Sequence, residues 1–104
     1  MPAFEWDRAK QRSNVEKHGV GFELAQTIFE DLNLLLRQDR IVDEEERWQA
    51  LGSSVGGVLL LVAHTVRMGD DDEEIIRIIS ARRAARQERA DYRAFQAKGG
   101  RSSF

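Results

Sequence analysis

The sequence predicts one α+β domain, with two N-terminal helices packed on a four-stranded antiparallel sheet and a further helix at the C-terminus. Three features lead there. Apolar residues in the first thirty positions recur at helical three-four spacing, the period turns extended from Asn33 onward, and Arg83–Lys98 is built from good helix formers. At 104 residues the chain has room for one core. The domain is expected over residues 1–98, with 99–104 as a flexible tail.

Phe4–Trp6 suggests a short strand, and Asp7 then reads as the N-cap of a helix that runs to about His18 and stops at Gly19. Trp6, Lys10, Asn14 and His18 fall four apart, forming a polar ladder that shares its face with an aromatic. A second helix is expected over Phe22–Glu30, burying Phe22, Ala25, Ile28 and Phe29. The strands come next as Leu32–Arg37, Glu46–Ser53, Val58–Arg67 and Glu74–Arg82. Between the first two, "QDRIVDEEE" carries too much charge to pack and reads as a loop. "VGG" marks a hairpin turn and "MGDDDE" the last loop.

The absence of cysteine removes disulfides and thiolate metal sites, and suits a reducing cytosol. No apolar run spans a bilayer, and the start lacks a secretory pattern, so a soluble, cytoplasmic protein without membrane contact is expected. The net charge of −2 hides an asymmetry: residues 1–76 carry 8 basic and 16 acidic side chains, and residues 77–104 carry 8 and 2. Two readings stand, a local anion site for nucleic acid or phosphate, or a solvated helix balanced by acidic loops.

Simple alternation along the fourth strand sets Arg77 beside Ile75 and Ile79, and Ser80 and Arg82 beside Ile76 and Ile78. An arginine amid isoleucines needs an anion, supplied by a carboxylate of Asp43–Glu46 or of "DDDEE", or by a ligand phosphate. Arg82, Arg83, Arg86, Arg89 and Arg93 lie at the strand exit and along the helix, as a phosphate cradle or as a solvated face. His64 alternates with Val62 and Val66, the pattern of a hydrogen-bonded core histidine, with general acid–base work as the sharper option. His18 suits a helix C-terminus, where a cation is favoured. Two histidines without close carboxylate spacing predict no metal site, and no cofactor motif is present.

Several separated motifs in order are similar to those of the BrnT toxin family. They are "FEWD" with Lys10 and Asn14, "KHGV" at Lys17–Val20, Phe22 and Ala25, "ERW" with Gly52, "VAHT" at Val62–Thr65, and "IIRIISARRAARQER" at Ile75–Arg89. The likeness runs from Phe4 to about Phe95. It implies a fold like that of the RelE ribonuclease toxins and an RNA-cleaving activity, independent of metal, that blocks translation. It also implies a ribbon-helix-helix (BrnA-like) antitoxin, a dimer or heterotetramer with it, and operator DNA contacted only through that partner. On this reading Arg77, Arg82, His64 and Glu46 are the catalytic candidates. Arg47, Ser80, Arg83, Arg86 and Arg89 are expected to contact RNA. The acidic "GDDDEE" departs from the family pattern and is expected far from the RNA or against a basic surface of the antitoxin.

Overall fold

The computed structural model describes residues 2–99, so most of the expected tail lies outside the described residues. The elements are β1 (Ala3–Glu5), α1 (Arg8–His18), α2 (Phe22–Gln26), a 3-10 turn (Thr27–Glu30), β2 (Leu35–Val42), β3 (Glu45–Ser53), β4 (Leu59–Met68), β5 (Glu74–Arg83) and α3 (Arg86–Ala97).

The sheet has five strands in the order β1-β5-β4-β3-β2, and it is mixed, which corrects the four antiparallel strands expected. β1 pairs in parallel with β5, setting Phe4 beside Ile76 and Glu5 beside Arg77. A strand of three residues carries too little alternation to announce a partner at the other end of the chain.

The expected loop "QDRIVDEEE" is the end of the β2–β3 hairpin. Asp43 and Glu44 turn it with φ of 52° and 65°, the left-handed pair that suits the twist of a tight hairpin. Its charges are tolerated because Leu36–Ile41 are all exposed there. The second helix breaks into α2 and the 3-10 turn, and α3 begins three residues later than expected because Arg83 still belongs to β5.

The main core lies between α1, α2 and one sheet face. Val20, Phe22, Ala25 and Ile28 pack there on Ala50, Leu60, Val62, Ile76, Ile78 and Ala81. Gly52 is required at this contact, because a Cβ would stand 2.9 Å from Leu34 Cδ1 and 3.2 Å from Ile28 Cβ. Among the described residues the opposite face is covered at one end only, where Tyr92 of α3 meets Leu51, Leu61 and Ala84. The rest of that face is open, and the arginines gather on it.

Asn14 is the one buried residue of α1, so this helix is fastened by hydrogen bonds more than by an apolar stripe. Its amide donates to the carbonyls of Ala81 (2.7 Å) and Val20 (2.9 Å), and its oxygen accepts from Ala81 N–H (3.1 Å). Asn14 thus replaces the strand neighbour that β5 lacks beyond the short reach of β1.

Candidate active site

The site begins with an irregularity. Ala63 of β4 faces Ser80, yet His64 faces Ile78, so Ile79 is an extra residue bulged out of β5. A bulge reverses the facing of the residues beyond it. Ile76 and Ile78 before it and Ala81 after it all enter the main core. Arg77, Ser80 and Arg82 therefore share the opposite, open face, which corrects the division drawn by simple alternation. Arg47 and Gln49 of β3, out of step with core-facing Ala50, join them there, and Arg37 of β2 lies opposite Gln49.

A cavity of about 300 Å³ opens on this face, lined among others by Arg40, Arg47, Gln49, Ser80, Arg82 and His18. Asp39 is its acidic member. A second cavity of about 300 Å³ shares His18, Ile79 and Ser80 with the first and adds Lys10 and Lys17 of α1. The polar ladder of α1 thus forms a wall of this cleft through Lys10, Asn14 and His18.

Most arginines of the face are held by carboxylates. Arg82 donates to both oxygens of Glu88 at 2.8 Å, which raises the guanidinium pKa and holds the Glu88 carboxyl low. Glu88 also accepts from Ala85 N–H at 2.7 Å, tying the entry of α3 to the site. Arg37 pairs with Asp91 at 3.8 Å and donates to Gln49 at 3.3 Å. The partner of Arg77 is Glu5 at 3.8 Å, shared with Arg67 at 2.8 Å, rather than any of the acidic loops. Arg47 differs: its Nε is buried and has no hydrogen-bond partner among the described residues.

The structure does not bring every candidate to this face. His64 is 2% exposed on the helix-covered face, with its ring edge-on to that of Phe29 at 5.0 Å between centroids. Burial lowers its pKa and so favours the neutral ring, against an opposing pull from the Val62 carbonyl. Glu46 is exposed, alternates with Arg47, and accepts from Gln38 at 3.2 Å. Arg83 and Arg86 lie at the turn into α3, and Arg89 donates to the Ala84 carbonyl at 2.9 Å. Sequence reasoning passed over Arg40, Gln49 and Lys17 as site residues, and it placed His18 only at a helix end. The four-residue ladder was the signal for Lys10 and His18; nothing local marks Arg40 or Gln49. Among the described residues no group of three or more histidine or carboxylate side chains comes together to hold a metal, and no helix is long and apolar enough to cross a membrane.

Fold and site together define a small α+β protein with an arginine-lined open sheet face. A family model described as the ribonuclease toxin, BrnT, of type II toxin–antitoxin systems matches residues 6–88. The chain belongs to that family, and with it to the toxins of toxin–antitoxin pairs. Its fold is similar to the 1.1 Å crystal structure of the Brucella abortus ribonuclease toxin BrnT, with a TM-score of 0.57 and 25% identity over 83% of this chain and 100% of that one. No curated protein matches the chain.

Proposed function

We propose that this toxin is a metal-independent endoribonuclease that cuts mRNA and stops translation. Arg47 and Arg82 hold the phosphate at the scissile bond, with Ser80 beside them, and Arg77 extends the track along the same face. Arg83, Arg86 and Arg89 contact the RNA backbone beyond the cavity. His64 serves the core, and Glu46 stays outside the chemistry. A ribbon-helix-helix antitoxin blocks the face by laying an acidic segment across Arg82–Arg93, in a heterotetramer that reaches operator DNA through the antitoxin.

The observation that carries this reading is Arg47. A buried guanidinium nitrogen with no partner among the described residues has given up water without compensation there, and a turn of the side chain toward the cavity lets a phosphate oxygen repair that loss. Cleavage through the 2′-hydroxyl builds a dianionic phosphorane, and fixed arginines stabilise such charge where it develops. Cytoplasmic action fits a target in mRNA.

The test incubates the purified chain with single-stranded RNA, free and in polysomes, in the presence of EDTA. Cut ends carrying a 2′,3′-cyclic phosphate are expected, slowed about 10²–10³-fold by Arg47→Ala. RNA left whole by the folded parent in both settings overturns the proposal, and cleavage abolished by EDTA overturns its metal independence. Intact RNA together with tight antitoxin binding would favour a non-catalytic module acting only in the repressor complex. The exposed Leu36, Val66 and Met68 are the features that suit such a partner-binding role.

A further inference from the structure

We infer that His18 is the general base of the cleavage reaction, an assignment that rests on the ribonuclease reading above. Among the described residues His18, Ile79 and Ser80 line both cavities, which places His18 beside the bulge. Its position is fixed from both sides. Asn14, one helical turn earlier on the same helix face, is bonded to Ala81 N–H and C=O. Gly19, at φ 69°, ends the helix immediately after His18, with its N–H bonded to the Val15 carbonyl at 2.8 Å. His18 is exposed to solvent, whereas the ring of His64 is sealed beneath Phe29. Of the side-chain types around the cleft, imidazole is the one matched to proton transfer near neutral pH; the nearest competitor is the carboxylate of Asp39.

In this step the neutral imidazole takes the proton of the 2′-hydroxyl as that oxygen attacks the adjacent phosphorus. The P–O2′ bond forms, the P–O5′ bond breaks with its electron pair, and the departing 5′-oxygen takes a proton from water. The hydroxide so formed recovers the proton from the imidazolium. The products are a 2′,3′-cyclic phosphate and a 5′-hydroxyl, and Arg47 and Arg82 face the charge on phosphorus throughout.

The experiment compares the parent, His18→Ala and His18→Gln on a short RNA, with and without added imidazole, and measures binding to a 2′-O-methyl copy of that RNA. Turnover is expected to fall about 10²–10⁴-fold in both variants while binding stays within about twofold, and imidazole restores part of the rate to His18→Ala. Retained turnover in the variants overturns the assignment, as does a loss that tracks binding and ignores imidazole. A fall confined to an Asp39→Asn control also overturns it, by moving the base to Asp39. If the parent itself leaves RNA whole, the ribonuclease reading fails first, and the assignment falls with it.

Discussion

Asn14 shows how much one polar side chain can decide. It fastens α1 to β5 with hydrogen bonds at a position 5% exposed, and it holds the helix whose last residue is His18. Replacing it with leucine keeps the branched shape, with more bulk, but leaves the buried N–H and C=O of Ala81 without partners. Asn14→Leu should therefore cost about 3 kcal/mol, read from the midpoint of urea unfolding; a loss below about 1 kcal/mol would show that water or a shifted strand takes over those bonds. At this scale the sequence was informative about which residues share a helix face and less so about where strand residues point. The ladder through Lys10, Asn14 and His18 was visible as spacing, because i, i+4 neighbours need only a helix to meet. The facing of Ser80 and Arg82 was not visible, because a single bulged residue, Ile79, has no local signature in a run of isoleucines. The partner of Arg77 stayed hidden for another reason: Glu5 meets it through a parallel pairing of distant segments.

Among the elements, α3 has the most to hold in place. It presses Tyr92 onto the open face of the sheet, and the Tyr92 hydroxyl donates to Asp31 at 2.6 Å. Asp31 in turn accepts from Ser53 N–H at 2.7 Å and Asn33 N–H at 2.8 Å, so one carboxylate joins α3, β3 and the turn before β2. Burial works to raise the Asp31 pKa, and these donors together outweigh it and leave the carboxyl low. Burial and the neighbouring Asp31 push the Tyr92 phenol up to about 12. A phenol that ionises later in the folded state than in the unfolded chain stabilises the fold fully below the unfolded pKa of about 10. That contribution disappears as pH rises through about 12. Tyr92→Phe should cost about 1 kcal/mol at neutral pH and should flatten the loss of stability between about pH 10 and 12. An alkaline limb identical in parent and variant would assign that loss to other groups. The helix was legible from its alanines, arginines and glutamates, whereas the β2–β3 hairpin was not. Its exposed strands bury neither face at that end, so no period-two pattern was available to separate strand from loop.

Across the whole molecule, the fold separates charges that the sequence mixes. Arg37, Arg47, Arg77 and Arg82 come from three different strands, and β-sheet pairing brings them to one face. The acidic turn Asp70–Asp72 sits at the end of β4 and β5 away from α3. Charge asymmetry along the chain therefore drew the eye to the arginines of its C-terminal part, but it could not announce Arg47 or Arg40, which lie in the acidic part of the sequence. The several ordered motifs carried more than charge did, since they identified the toxin family across most of the chain. The proposed function turns on an RNA phosphate settling on Arg47 and Arg82 in the cavity at the bulge. The decisive experiment observes the arginine Nε–H signals in nitrogen-15 NMR while a 2′-O-methyl RNA oligonucleotide, which cannot be cut, is added. The Arg47 signal is expected to move most, with Arg82 next, Arg86 less and Arg93 little. Shifts confined to Arg86 and Arg93, with Arg47 unmoved at saturation, would place the phosphate elsewhere and overturn this site.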